Sequence, residues 1–347
     1  VRRERDRFVG FVLKGVEAIP ADQVIHGRAR FLDARTLQVD AHTSVTFTRA
    51  VIATGSSPAI PAALRAAEER LIVNDDVFDW DDLPGSVAVF GPGVIGLELG
   101  QTLHRLGVRV RLFGRGSGIG PLSDPEVREY ATRTFQEEFY LDPDAQVHAI
   151  ERQESGVTVR YADRSGRAVN EHFDYVVAAT GRTPNVQGLG LERTGLALYN
   201  NGVPLYDRTT MQCGSSAIFL AGDVNNDVPL LHEAADEGRI AGENAGSFPN
   251  VKSGLRRTPL GIVFTDPQIA ITGARHADLA PGSYVTGSVS FEDQGRSRVM
   301  LRNRGLLHVY AEIATGRLLG AEMTGPDAEH LAHLLAWAIQ GGLTVHE

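Results

Sequence analysis

Gly91-Pro92-Gly93-Val94-Ile95-Gly96 is the stretch of this chain whose residue types and spacing could do chemistry. That chemistry is the holding of a dinucleotide pyrophosphate. An apolar run of strand length, Val87-Ala88-Val89-Phe90, leads into the motif, and a helical pattern from Leu97 to Leu106 leads out of it. This is the context in which Gly-x-Gly-x-x-Gly carries meaning; in a glycine-rich chain the same spacing also marks ordinary loops. Gly91 permits the tight turn, Gly93 lets the backbone approach the pyrophosphate, and Gly96 allows close helix–strand packing. The helix start, at Val94 and Ile95, presents free N–H groups and a partial positive charge to an anion. Glu98 is placed on the first helical turn, where a carboxylate also suits the helix dipole. An acidic residue is expected about 20 residues beyond the fingerprint, to hold the ribose 2′-hydroxyl of NAD. The second strand reads Val108-Arg109-Val110-Arg111-Leu112-Phe113-Gly114-Arg115, and no acid stands between Glu98 and Asp124.

The elements that must position these residues follow an α/β pattern. Residues 1–20 read as the end of a charged helix, and Val24 to Val51 as a small β-meander broken by Gly27 and Asp33. The run Ala50-Val51-Ile52-Ala53 enters the turn Thr54-Gly55-Ser56-Ser57-Pro58. An acidic segment, Asp75 to Asp82, leads to a boundary at Pro84-Gly85. Residues 86–182 then read as strand, helix, strand, a helix over Asp124 to Phe139, further strands, and a closing strand Tyr175 to Ala179 ending in Thr180-Gly181. Strands alternating with helices predict a parallel sheet covered on both faces. The shared ending hydrophobic-Ala-Thr-Gly, at 55 and at 181, suggests two related nucleotide-binding units. A third strand, Ala217 to Ala221, ends in Gly222-Asp223 and precedes Leu230-Leu231-His232 and a helix through Ala245. From Leu260 the pattern is β-rich, with strands near Ile262, Tyr284, Val299, Leu307 and Leu318, and closes on an amphipathic helix, Asp327 to Gln340.

Composition bounds the function. At 347 residues the chain should hold two or three domains. The net charge is −9 and the basic residues are scattered, which argues against nucleic acid and against a membrane surface. No apolar run approaches the length of a membrane span. The opening Val1-Arg2-Arg3-Glu4 is no signal peptide. A lone cysteine, Cys213, excludes an internal disulfide and fits a reducing, cytoplasmic setting. Redox pairs need two thiols within bonding reach, so Cys213 is read as structural. The 11 histidines form no metal-ligand spacing, and the adjacent His346-Glu347 is not an acid–base pair. The first residue is Val and the first methionine is Met211, which leads to the expectation of a chain cut at its N-terminus.

The ordered set of motifs resembles the flavin-dependent pyridine nucleotide–disulfide oxidoreductases, and within that family the dihydrolipoyl dehydrogenase branch. It comprises Ile52-Ala53-Thr54-Gly55, the Gly91 fingerprint with Glu98, Ala179-Thr180-Gly181-Arg182-Thr183-Pro184-Asn185, Ala221-Gly222-Asp223, and Val263-Phe264-Thr265-Asp266-Pro267-Gln268. The resemblance implies FAD/NAD(P)-binding Rossmann-like domains with a C-terminal α+β interface domain. It divides the chain into an FAD-domain remnant (1–83), an NAD(P)-binding domain (84–182), a second FAD segment (183–257) and a truncated dimerisation domain (258–347). It places Gly27, Thr54, Gly55, Gly222, Asp223, Leu230, Leu231 and His232 against FAD, with Asp223 on the ribityl hydroxyls. Gly27 reads equally well as a plain turn, and His232 equally well as a structural residue. It has Glu98 help position the nicotinamide, and places Gly181 and Arg182 on the nicotinamide and flavin sides of the same crevice.

The family's FAD fingerprint, its Cys-x4-Cys pair and its His-Pro…Glu are not among these 347 residues, so the fragment is expected to be inactive in disulfide chemistry. The resemblance further implies a homodimer in the intact protein and membership of a 2-oxo acid dehydrogenase complex. For the coenzyme it points two ways. Gly96 is the NAD-type choice. Gly114 stands where NAD-dependent relatives usually carry Glu, and Arg115 where NADP-dependent ones carry Arg, although Arg115 could equally be a solvated charge. The alternatives are an NADPH-dependent disulfide reductase, a mercuric reductase-like or soluble transhydrogenase-like enzyme, and a non-catalytic nucleotide-binding fragment.

Overall fold

The computed structural model describes the whole chain, Val1–Glu347. It divides into two compact units, one of Val1–Ser57 with Arg182–Arg256, the other of Pro58–Gly181 with Arg257–Glu347.

In the first unit the helix Arg2–Glu17 buries none of its residues. The meander spans Ala29–Phe31, Thr36–Val39 and Thr43–Thr46, paired antiparallel. The next strand, Ala50–Ile52, does not extend the meander; it pairs in parallel with Ile218–Leu220, bringing two distant apolar runs side by side. Period-two alternation sets the packing. Ile218 and Leu220 face a core shared with Ile52, Val203 and Cys213. Phe219 points the other way, onto Ile240 and Ala241 of the helix Leu231–Ser247.

In the second unit five parallel strands lie in the order Leu71–Ile72, Tyr175–Ala178, Ser86–Phe90, Arg109–Phe113, Tyr140–Asp142. The chain moves outward from Ser86–Phe90 in one direction, then returns to pair Tyr175–Ala178 on its other side. That reversal is the topological switch point at which open α/β sheets bind ligands. Both faces of the sheet are covered, but not by helices on both. Val87, Val89, Val110 and Leu112 pack against Leu97, Val127 and Phe135, which lie on the helices Val94–Arg105 and Pro125–Glu138. Ala88, Phe90, Phe113 and Val176 pack instead on Val157, Val159, Tyr161 and Phe173. Those residues belong to an antiparallel sheet of Gln146–Gln153, Gly156–Ala162 and Ala168–Phe173. Period-two apolar alternation in these strands produces a flat apolar face that substitutes for a helix. Full burial of a side chain such as Leu112 or Phe135 stabilises by about 2–3 kcal/mol.

From Leu260 an antiparallel sheet runs in the order Leu260–Val263, Gln268–Gly273, Leu318–Gly325, Leu306–Glu312, Tyr284–Ser290. The helix Ala328–Gln340 lies on it through Ala328 and Ala332. Val299 is not in a strand. It ends the short helix Gly295–Val299, where the Gln294 side chain accepts from the Ser297 N–H at 2.6 Å. That local cap outweighs the β preference of one valine. No helix is long and apolar enough to cross a membrane.

Candidate nucleotide site

The three fingerprint glycines do three different things. Gly91 has φ +103°, and a Cβ there would lie 2.3 Å from the Ala179 carbonyl oxygen, so only glycine fits between the two central strands. A Cβ on Gly96 would lie 1.8 Å from the Gly91 carbonyl oxygen, which is the close approach of helix to turn. A Cβ on Gly93 would meet no atom within 4 Å. Gly93 therefore borders open space at the helix start. The helix Val94–Arg105 has Gly93 as its N-cap and no side-chain cap, so its first N–H groups, including those of Val94 and Ile95, point at that space. A pyrophosphate fits this cradle on both charge and room.

Glu98 is the fifth residue of this helix and not part of its first turn. Its Oε1 accepts from the Phe264 N–H at 2.8 Å, and burial pushes its carboxyl above the usual range despite that bond. Gly181, with φ +105°, is exposed, and its carbonyl accepts from the Ala59 N–H at 2.9 Å. The Thr180 hydroxyl donates to the Ala59 carbonyl at 2.6 Å, pinning the same turn. Arg115 is exposed just past the end of Arg109–Phe113.

In the first unit the Thr54 hydroxyl donates to the Asn185 carbonyl at 2.8 Å, and the Asn185 side-chain amide returns a bond to the Thr54 carbonyl at 2.9 Å. The Asn185 N–H donates to the carbonyl of Gly55, which has φ +67°. Arg182 and Asp223 are joined through Ser56. The Arg182 Nε donates to Ser56 Oγ at 2.6 Å, and Ser56 Oγ donates to Asp223 Oδ2 at 2.9 Å. Asp223 is half-buried, and its other oxygen remains an open acceptor of the kind sugar hydroxyls require. Gly222, at φ +75°, is held by Glu237, whose Oε2 accepts from its N–H at 2.8 Å and from the Asn225 amide at 2.7 Å. Glu237 and Glu233, both buried, pair with Arg256 at 2.9 and 2.8 Å.

Leu230, Leu231 and His232 lie at the start of Leu231–Ser247; Leu230 is half-buried, while Leu231 and His232 are exposed. Gly27 stands apart from this group, in the turn before Ala29–Phe31. A Cβ on it would lie 2.4 Å from Asp40 Oδ2, a close approach that by itself demands glycine there. Ser56, Glu237 and Arg256 were not singled out from the sequence. Ser56 directly follows Thr54-Gly55, and its partners lie 126 and 167 residues away, so no local pattern marks it.

Cys213 is fully buried, and burial pushes its thiol up to about 12. Glu347 turns back to accept from the Thr344 N–H at 3.0 Å. No group of three or more His, Cys, Asp or Glu side chains is placed to hold a metal ion.

A parallel sheet with a glycine cradle at its switch point defines a dinucleotide-binding protein. The family model for pyridine nucleotide-disulphide oxidoreductases matches residues 11–238, and the model for that family's dimerisation domain matches residues 260–347. The chain belongs to this family, whose members use FAD and NAD(P).

Among curated proteins it is 31% identical over 339 residues to a mercuric reductase of Acidithiobacillus ferrooxidans, covering 94% of this chain and 60% of that protein. It is 29% identical to a dihydrolipoyl dehydrogenase of Geobacillus stearothermophilus, covering 94% of this chain and 69% of that protein. The chain thus spans about 60% of the length of the mercuric reductases of Acidithiobacillus ferrooxidans and Staphylococcus aureus. Among solved structures, LpdA from Mycobacterium tuberculosis superposes with a TM-score of 0.78 at 29% identity, over 94% of this chain and 72% of that one. The fold is also that of the HOCl-induced flavoprotein disulfide reductase RclA from Escherichia coli in its Cu(II) complex. That match has a TM-score of 0.83 at 22% identity, over 99% of this chain and 79% of that one.

Proposed function

We propose that this chain is the nucleotide-holding portion of a flavin-dependent oxidoreductase that passes electrons between a pyridine nucleotide and a dithiol, disulfide or related electron partner. When bound, FAD supplies the two-electron relay between nicotinamide and thiol chemistry. The chain's own residues bind and orient. Gly91, Gly93, Gly96 and the N–H groups of Val94 and Ile95 receive the coenzyme pyrophosphate, and Glu98 with Gly181 borders the nicotinamide. Asp223, held through Ser56 to Arg182, offers its open oxygen to the flavin's ribityl hydroxyls. Thr54-Gly55, Gly222 and the Leu230–His232 corner complete the flavin side. In this reading residues 84–182 form the coenzyme domain, 1–83 and 183–257 the flavin domain, and 258–347 the surface through which two copies pair in the intact protein.

Two finer types have support. The dihydrolipoyl dehydrogenase type, with NAD and a 2-oxo acid dehydrogenase complex as partner, is favoured by the relative at 29% identity and by the order of motifs. The NADPH-driven reductase type is favoured by Arg115 and by the relative at 31% identity, a mercuric reductase.

The open space beside Gly93 carries the proposal, because it is the one fingerprint position at which a side chain harms only a ligand. Gly93→Val should keep the fold and its melting temperature yet lose coenzyme affinity at least tenfold in calorimetric titrations with NADH and NADPH. Unchanged affinity in the variant, beside measurable binding by the parent chain, would remove the assignment.

A further inference from the structure

We propose that the strand Tyr284–Ser290 is a pairing edge, along which two copies of this chain join antiparallel about a twofold axis through Gly287. The inference stands on this edge alone and needs no part of the nucleotide reading.

The strand is the last in its sheet. It pairs with Leu306–Glu312 on one side and with no strand on the other. From Val285 to Ser290 every residue is exposed. Native sheets usually blunt such an edge by shortness, charge, proline or a bulge. This one has seven residues, Tyr-Val-Thr-Gly-Ser-Val-Ser, with no charge and no proline, and its register against Leu306–Glu312 is unbroken. Its start is anchored, where the Tyr284 hydroxyl meets His276 Nε2 at 2.9 Å.

The flanking bonds reveal which backbone groups are free. The Ile313 N–H donates to the Ser283 carbonyl at 3.1 Å, and the Phe291 N–H donates to the Gly305 carbonyl at 2.9 Å. Bonded and non-bonded pairs alternate along an antiparallel ladder. The N–H and C=O groups of Val285, Gly287 and Val289 therefore face Leu306–Glu312. Those of Tyr284, Thr286, Ser288 and Ser290 point outward.

A second copy is the occupant that this sequence itself specifies. Turned about Gly287, the strand sets Val285 opposite Val289 of the second copy, Thr286 opposite Ser288, and Tyr284 opposite Ser290. The pairs that must exchange hydrogen bonds are then the ones whose groups point outward. The Val285–Val289 and Gly287–Gly287 pairs fall at the non-bonded positions, where side chains approach more closely. Val285 and Val289 are 53% and 49% exposed, and facing valines cover one another; on the other face the opposed Thr and Ser hydroxyls bond. Beyond the ladder ends Glu292 and Asp293 come opposite Gly282 and Pro281, so no like charges meet. Twofold pairing uses up both edges and closes, as isologous contacts do. The strip is small beside a standard interface, so the association is weak and depends on concentration.

The test is oxidative cross-linking of the 347-residue chain carrying Gly287→Cys. A Cβ there meets its nearest neighbour, the Val309 carbonyl oxygen, at 3.9 Å, so the variant folds, and Cys213 is fully buried and does not compete. The new thiols face each other across the axis at a non-bonded pair, within disulfide reach. Gly287→Cys should form a covalent dimer. Val285→Cys should not, because its two thiols lie about 14 Å apart along the ladder. Adding Val289→Cys to Val285→Cys should restore the dimer. Thr286→Pro removes an outward N–H that the chain's own ladder does not use. It should leave the chain folded and slow the Gly287→Cys cross-link about tenfold, for the ladder bonds lost. Cross-linking of Val285→Cys as fast as Gly287→Cys, or indifference to Thr286→Pro, overturns the inference. So do open-ended polymers, and so does a Gly287→Cys chain that stays monomeric at high concentration, the result expected of an edge that serves an unlike strand.

Discussion

Glu98 shows how a side chain of the fingerprint helix takes on a structural load. It is half-buried, its single hydrogen bond comes from the Phe264 N–H, and burial raises its carboxyl above the ordinary 4.5. A group whose folded pKa is raised contributes stability that is complete below its unfolded value and lost as pH climbs through the folded one. The ionised form therefore weakens the fold near neutrality. Glu98→Gln keeps an acceptor for Phe264 and removes the charge. Its melting temperature should match the parent's in acid and exceed it near neutral pH; a variant less stable at both would refute the burial argument. The residue type was readable as part of the fingerprint helix. Its bond to Phe264 was not, because the two lie 166 residues apart.

The helix Pro125–Glu138 shows the same division at the scale of an element. Its start was legible, since Asp124-Pro125 pairs an N-cap acid with a proline at the first helical position. Asp124 Oδ1 does accept from the Glu126 and Val127 N–H groups, at 3.0 and 3.2 Å. Its other oxygen is bound by His308 Nδ1 at 2.8 Å and by the Tyr310 hydroxyl at 2.9 Å, on a strand 184 and 186 residues away. Burial alone would raise this carboxyl; the bonds from His308, the Val127 N–H and Tyr310 outweigh it and hold it below 3.8. Glu322, fully buried, binds the neighbouring Ser123 and Asp124 N–H groups at 2.7 and 2.8 Å.

Asp124→Ala should cost roughly 2–4 kcal/mol, from a lost cap and from buried partners left unpaired. Denaturant unfolding near neutral pH measures it. Because the folded pKa is lowered, the ionised carboxylate stabilises fully above 3.8, and that contribution fades as pH falls through the folded value. The gap between Asp124→Asn and the parent should therefore narrow in acid, and a gap independent of pH would exclude this account.

At the scale of the whole molecule, the helix Arg2–Glu17 leaves Phe8, Phe11, Val12 and Leu13 each more than half exposed. An apolar surface of this kind drives association. The 347-residue chain should self-associate in a concentration-dependent way by light scattering. Phe8→Ser with Phe11→Ser should reduce that without lowering the melting temperature, because neither side chain is buried; unaltered association would clear the helix of the role. The sequence by itself determined most of the elements and the family, because strand-then-glycine-then-helix order, period-two apolar runs and turn glycines are local properties written in neighbouring residues. Most helix limits and the parallel pairing of Ser86–Phe90 could be read in that way. Tertiary structure alone decided what lies against what. It set an antiparallel sheet on one face of the parallel sheet, joined Arg182 to Asp223 through Ser56, and carried Pro143 to within 2.5 Å of a Cβ at Gly114. Each of these contacts joins residues tens to more than a hundred positions apart, and which distant pairs meet is selected by burial and close packing of the whole unit, which no local pattern encodes.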